Sequence, residues 1–394
     1  MSQAPPVTTG GMEVLGGLLV ACRQAWKLGR TEVGTEHLLA ALADVLPALR
    51  TEVGSRIREL SSRVADSRRW QSQDNGAGDG QERFGDEIDA TLREAAQLAR
   101  LERRASREEP VPEWTDGVRS ALREALSDAG SRRVGLAHAA HLVVGVCADS
   151  GNRAAELLGE IGLSAHQVLA CLSPRLLRRE GTPPSSAVYA FRMNGMLTTY
   201  GPILRVLSGV VRADAGGWRP GGFKPIVMAL DLEASRQAVR RGAQQTSQAH
   251  YLLAIRLLPD QLAARNVRLA DRWAAYNDAG CLLSQLGVTV PALSTSMDGL
   301  RFDEPPATGT TRRWRHRNPA SLPYGAGLVA ADERAHGYAS DLGHRYAGTD
   351  HLLLALLADP AGRTRELLTG LGVDVAVLTR ELAGRLGWAG RRTG

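Results

Sequence analysis

The 394-residue chain is poor in aromatics, at 5%, and almost without lysine: Lys27 and Lys224 stand against 46 arginines. A β-sandwich or barrel core would need more aromatic and β-branched side chains, so the abundance of Ala and Leu points to helices packed through aliphatic ridges. Cys22, Cys147, Cys171 and Cys281 form no C-x-x-C pair. That excludes a disulfide framework or a cysteine-rich zinc motif and leaves buried free thiols in a reducing, cytoplasmic setting as the expectation. No G-x-x-x-x-G-K-[ST] loop is present to cradle nucleotide phosphates, and G-x-S-x-G and H-E-x-x-H are missing as well. The longest apolar stretch, 186–211, is interrupted by Arg192, Asn194 and Arg205, so no membrane span is expected. The apolar stretch Met12–Val20 is short, glycine-broken and preceded by no basic residue, unlike a signal peptide.

The net charge is +6 and the pI about 9.4. The arginines are interleaved with acids, as in Arg100-Leu101-Glu102-Arg103-Arg104, rather than gathered on one face. Arg312-Arg313-Trp314-Arg315-His316-Arg317 is the exception, a basic run in a loop-like segment. A nucleic-acid surface would need clustered cations with interleaved aromatics, so no nucleic-acid partner is expected.

What the chain does have is a phrase that recurs. Gly34-Thr35-Glu36-His37-Leu38-Leu39 returns as Gly348-Thr349-Asp350-His351-Leu352-Leu353, with weaker copies around His141 and His250. The four histidines are spaced by roughly a hundred residues, the mark of a duplicated structural unit. Twenty-seven residues before its histidine, three copies carry an aromatic: Trp114, Phe223 and Tyr324, with Gly10 at that offset in the first copy. Three copies also end in paired leucines followed by aliphatic-Gly-aliphatic: Leu157-Leu158 to Gly162-Leu163, Leu282-Leu283 to Gly287-Val288, and Leu367-Leu368 to Gly372-Val373.

Apolar periodicity predicts helices over 12–28, 36–45, 49–67 and 86–106, the last with Ile88, Leu92, Ala95, Ala96 and Ala99 on one face. Thr35 is expected to cap its helix, with Glu36 at the first helical position facing the positive end of the dipole. Residues 72–85, rich in Gly and Asp, read as a loop. Gly181–Pro184 marks the main boundary, 186–212 is apolar but irregular, and an insertion at Asp260–Asn277 is expected to be helical.

These motifs resemble the Clp N-terminal domain, the substrate-receiving module before the ATPase rings of ClpA, ClpB and ClpC, with Ala25-Trp26-Lys27-Leu28-Gly29 and Phe223-Lys224-Pro225 closest to the ClpC type. The resemblance implies an all-α protein of two tandem Clp-N-like domains, each a pseudo-twofold pair of four-helix repeats. The first would span 1–178 (repeats about 10–67 and 112–175), the second 222–388 (repeats about 222–295 and 322–388, with a linker at 303–319), joined by 179–221. In ClpC-type domains the acid of each repeat helps hold the guanidinium of phosphoarginine. Here Glu36 faces Ala140 as its counterpart and Asp350 faces Ala249, one acid of two in each pair. The aromatic opening the second repeat lines the pocket for cyclic-peptide antibiotics such as cyclomarin, a role the resemblance extends to Trp114 and Tyr324, and with them Phe223. The same residues are equally suited to core packing at a helix entrance.

The remaining repeat residues, Thr35, His37, His141, His250, Thr349 and His351, read as structural, with each ring bonded to local backbone. Metal binding is not expected of histidines so far apart, nor any cofactor. An enzymatic alternative would rest on His138, His141 and Asp149 converging. The leading expectation is a non-enzymatic binding protein of the Clp system. It would be a decoy for Clp-targeting cyclic peptides or an adaptor that binds Clp substrates, such as phosphoarginine-marked proteins, or partner proteins.

Overall fold

The computed structural model describes residues 9–52, 54–65, 70, 73–76, 84–179, 181–199, 225–298, 321–359 and 362–388. Most of these are helical, and the chain divides into two units between Pro184 and Ser185.

In the first unit, α1 (Met12–Lys27), α2 (Thr35–Val45), α3 (Pro47–Glu52) and α4 (Gly54–Ala65) form one repeat, followed by α5 (Gly85–Arg103). The second repeat holds α6 (Asp116–Ser131), α7 (Ala139–Ala148), α8 (Arg153–Glu160) and α9 (Ala165–Ala170), with α10 (Pro174–Leu177) after it. The helices form because their apolar residues share a face. On α1, Val14, Leu15, Leu18, Ala21, Cys22 and Ala25 are buried, and on α5 Ile88, Leu92, Ala95 and Ala99. Ala96 is only half-buried. Between α6 and α7 the backbones approach closely at Gly145, where a Cβ would stand within van der Waals overlap of the Ala121 carbonyl oxygen.

In the second unit α11 (Ser186–Met193) packs on α12 (Pro225–Arg240), which leads to α13 (Gln248–Ala264). Then come α14 (Asp271–Ala274), α15 (Ala279–Gln285), α16 (Val290–Asp298) and the last repeat, α17 (Ala326–Asp341), α18 (Thr349–Leu357), α19 (Thr364–Gly370) and α20 (Val375–Arg385). The expected helical insertion over 260–277 is only partly helical. Helix α13 runs on through Pro259 to Ala264, but Val267–Leu269 then pairs antiparallel with Leu197–Thr199. A partner strand from outside the repeat decides that conformation, which local propensity could not anticipate. Residues 186–199 thus pack within the second unit, and the rest of the stretch expected as a connection, 200–221, lies outside the described residues together with Phe223 and the basic run 312–317.

The repeats meet through short parallel bridges with one rule. The residue 27 positions before one histidine pairs with the residue four before its counterpart. Gly10 pairs with Ala137, Val33 with Trp114, and Thr246 with Tyr324. A second regularity lies eight residues before each histidine, where Gly29, Arg133, Gly242 and Gly343 all adopt positive φ (65°, 60°, 68° and 72°) and end the preceding helix. The Leu-Leu tails are helix stops of the same kind. Gly162, Gly287 and Gly372 are left-handed, and the aliphatic after each donates its N–H to the second leucine's carbonyl: Leu163 to Leu158 at 2.8 Å, Val288 to Leu283 at 3.0 Å, Val373 to Leu368 at 2.9 Å.

Candidate functional site

All four signature histidines do one job. Each sits at the third helical position and accepts, through Nδ1, the backbone N–H of the residue before its helix: His37 from Gly34 (3.3 Å), His141 from His138 (3.1 Å), His250 from Ser247 (3.1 Å) and His351 from Gly348 (3.2 Å). The side chain thereby satisfies a donor that the helix start leaves unpaired. His141 and His138 donate their Nε2 protons to the carbonyls of Leu177 and Leu176, at 3.0 and 2.6 Å, and His138 Nδ1 accepts from Ala140. Both rings are committed on both nitrogens, and burial lowers the pKa of each, His141 to about 4. Asp149 lies at the far end of the ten-residue α7, roughly 15 Å away by helix rise, so the three do not converge. Among the described residues no group of three or more His, Cys, Asp and Glu could hold a metal ion. Burial raises the thiols of Cys22 and Cys147 to about 12 and that of Cys281 to about 11; Cys22 alone is fully buried, against the expectation for all four.

Helix α2 starts one residue earlier than a Thr35 cap would place it. Gly34 is the N-cap, Thr35 the first helical residue and Glu36 the second. The threonine hydroxyl is engaged elsewhere, by a residue that local sequence reading passes over. Asp74, within the expected loop, is 1% exposed. Its Oδ1 accepts from Thr35 Oγ1 (2.6 Å) and Arg153 N (3.1 Å); its Oδ2 accepts from Thr115 Oγ1 (2.6 Å) and Thr35 N (2.9 Å). Thr35 Oγ1 in turn accepts from Ala154 N at 3.1 Å. The carboxylate therefore joins the starts of α2, α6 and α8, where the helix dipoles favour negative charge.

Beside it lies Glu36, 1% exposed. Arg153 places Nη1 3.6 Å from Glu36 Oε1 and Nη2 3.3 Å from Glu32 Oε2. Glu36 Oε2 is buried without a hydrogen-bond partner. Across the repeat pair, Ala140 is fully buried.

In the second unit Asp350 is buried and its Oδ1 accepts from Asp278 N at 2.9 Å. Burial is the main cause of its raised pKa, with backbone donors from Asp278 and Ala279 opposing. Asn277 Oδ1 accepts from Thr349 N at 2.9 Å and Tyr276 O from Asp350 N at 3.0 Å, so an internal side chain again covers the helix start. Tyr276, at φ 63°, stacks on His344 with centroids 3.9 Å apart, and His344 Nδ1 lies 2.8 Å from His351 Nε2.

Trp114 and Tyr324 are half-buried, each packed against its unit's core while its backbone holds the bridge to the neighbouring repeat. Thr115 N donates to Val33 O at 3.1 Å, and Gly325 N to Thr246 O at 2.9 Å, so the two aromatics occupy equivalent places. No helix among the described residues is long and apolar enough to cross a membrane.

Paired helical repeats joined by reciprocal bridges, with a histidine-capped helix in each, define a duplicated α-helical repeat protein. Residues 331–389 match the family described as Clp repeat (R) N-terminal domain, and the chain carries a Clp N-terminal domain there. Among solved structures, the N-terminal domain of the caseinolytic protease associated chaperone ClpD from Arabidopsis thaliana aligns with 44% of this chain and 99% of its own, at 15% identity and a TM-score of 0.30. No protein of curated description matches.

Proposed function

We propose that the chain is a non-enzymatic ligand-binding protein of the Clp protease system, a decoy that sequesters apolar cyclic peptides of the kind that target Clp chaperones. The coarser part of this reading, a role related to the Clp system, rests on the matched repeat at 331–389. The finer part is carried by one observation. Trp114 and Tyr324 hold equivalent, half-exposed places at their repeat junctions, whereas Glu36 and Asp350 are buried and engaged from within the chain. A flat aromatic at a junction suits an apolar macrocycle. A guanidinium ligand at Glu36 would first have to displace Arg153.

Calorimetric titration of the full chain with a cyclomarin-type peptide and with a phosphoarginine peptide tests the choice. Binding of the macrocycle, weakened by Trp114→Ala or Tyr324→Ala, is expected; tight binding of phosphoarginine alone would sink the decoy reading. A robust ATP turnover abolished by a point substitution would defeat the non-enzymatic part.

A second reading, an adaptor or competitor binding Clp substrates or partner proteins, has its own support in the second unit. Tyr189 and Met193 on α11 and Leu232 on α12 are 57%, 63% and 47% exposed, large apolar side chains on a packed helix pair. If neither peptide binds, this reading takes the lead.

A further inference from the structure

Along the sequence the arginines alternate with acids, and in the first unit the fold pairs many of them. Arg23 reaches Glu102, Arg103 reaches Glu109, Arg119 reaches Asp89, Arg132 reaches Asp128 and Arg153 reaches Glu32. Helix α10 and its end depart from that pattern. Arg175, Arg178 and Arg179 are exposed, and none makes an ion pair or a side-chain hydrogen bond among the described residues. They lie at i, i+3 and i+4, the spacing that sets side chains on one side of a helix. Arg178 keeps helical backbone angles and Arg179 N donates to Leu176 O at 3.1 Å, so the turn continues through both.

The turn that carries these arginines is fixed from beneath. His138 Nε2 is 2.6 Å from Leu176 O, and His141 Nε2 is 3.0 Å from Leu177 O. Further along, Gly181 N donates to Leu136 O at 2.9 Å and Met12 N to Thr182 O at 2.7 Å. Thr182 donates from N and Oγ1 to the two oxygens of Glu13, at 3.1 and 3.0 Å. Arginines near a helix C-terminus ordinarily serve the helix itself, by bonding its last carbonyls. Here two imidazoles already take that part. The acids whose charge reaches His138 are committed too: Glu13 to Thr182, and Asp128 through both oxygens to Arg132. Three guanidinium groups therefore stand unneutralised on a held backbone, where neighbouring like charges repel.

An anion with several oxygens completes such a face, since guanidinium pairs with carboxylate or phosphate through two parallel hydrogen bonds. Two features favour a peptide acid. From Arg175 to Arg179 the helix rises about 6 Å, the reach of about two or three carboxylates on one peptide segment. Nucleic-acid affinity accumulates over a longer run, of about six or more phosphates. Residues 171–184 also contain no aromatic side chain, so the face offers no platform on which bases could stack.

We propose that the arginine face of α10, formed by Arg175, Arg178 and Arg179 and held by His138 and His141, is a docking surface for an acidic peptide segment of a partner protein. This does not rest on the cyclic-peptide reading, because it uses none of its aromatics. The two titrations can fail separately.

Fluorescein-labelled octaglutamate is the probe, titrated with the full chain in fluorescence anisotropy at about 50 mM salt. Saturable binding is expected, and it should weaken by about tenfold or more when the salt is raised to about 300 mM. Arg175→Glu, Arg178→Glu and Arg179→Glu made together should weaken it by about tenfold or more at low salt. The same charge change at Arg104, Arg192 and Arg380, exposed arginines without ion pairs among the described residues, should cost less than about threefold. Arg175→Gln, Arg178→Gln and Arg179→Gln together should cost about fivefold or more. They add no charge, so they keep the test decisive should the reversal unfold the chain, which circular dichroism shows. Absence of binding by the wild type at about 1 mM would overturn the proposal. So would an equal loss in the control variant, which would mean bulk charge alone. Octathymidylate binding more tightly than octaglutamate through the same arginines would overturn it as well and make the face a nucleic-acid contact.

Discussion

Arg153 Nη1 stands 3.6 Å from Glu36 Oε1, joining the second repeat of the first unit to the signature acid of the first repeat. The acid is buried with His37 Nδ1 3.0 Å from the same oxygen, and the guanidinium is shared with Glu32. Removing one partner of such a pair leaves a buried charge behind. Arg153→Gln is expected to destabilise the chain by about 1–3 kcal/mol in urea unfolding. Glu36→Gln combined with it should cost less than the two single changes added together, by about 0.5 kcal/mol or more. Strict additivity would mean that the two side chains do not interact.

The aromatics at the repeat junctions carry the binding reading. Trp114→Ala and Tyr324→Ala should weaken macrocycle binding by about 2 kcal/mol or more, as truncation of an interface anchor does. Helix content by circular dichroism should be largely retained, because each ring is only half-buried. Glu36→Ala and Asp350→Ala should leave macrocycle affinity within about twofold. Unfolding on removal of either aromatic would assign both to the core.

Close helix packing makes Gly145 irreplaceable. Alanine would raise helix propensity by about 1 kcal/mol, but its Cβ would overlap the Ala121 carbonyl oxygen. Net destabilisation of about 2 kcal/mol or more is expected for Gly145→Ala. A calorimetric melting temperature equal to that of the wild type would contradict the helix approach described for α6 and α7.

Arg133 is the non-glycine among the four left-handed residues that precede the histidine helices. Arg133→Gly should relieve a backbone cost and stabilise the chain by about 0.5–1 kcal/mol. The reverse change at the equivalent places, Gly242→Arg or Gly343→Arg, should destabilise it by a similar amount.

Three buried histidines set the response to acid. Burial is the first cause in holding His250 at about 3 and His141 and His351 at about 4, against an ordinary 6.5. In the unfolded chain they bind protons from about pH 6.5 downward, whereas the folded chain resists, so the unfolded state binds more protons in between. Stability is therefore complete above about pH 6.5 and is lost as the pH falls toward 4. Each histidine contributes a slope of up to about 1.4 kcal/mol per pH unit. Asp350, raised by burial, acts in the opposite sense but only as one group near the acid end. Urea midpoints at pH 7.5 and 5.0 should show the drop, and His250→Gln should reduce it. A midpoint that rises on acidification would exclude this account.

Much of the architecture was legible because the signals were local. Each histidine caps the helix it begins, three residues from its donor, and each Leu-Leu-x-x-aliphatic-Gly tail closes its helix within six residues. The 27-residue offset of Trp114 and Tyr324 was visible too, because it spans one complete helix of the repeat. The short strand at Val267–Leu269 was not, since its partner lies about seventy residues away at Leu197–Thr199.

The chain's own residues thus determined helical class, repeat period and the places where helices start and stop, all of which depend on backbone donors and left-handed turns within a few positions. Tertiary structure alone decided what meets at those helix starts. Asp74 lies 39 residues from Thr35 and 79 from Arg153 along the chain, in a stretch whose composition reads as solvent-facing loop. Only closure of the two repeats on each other brings three helix starts to one point, and it is the unpaired N–H groups gathered there that draw a carboxylate out of solvent and bury it.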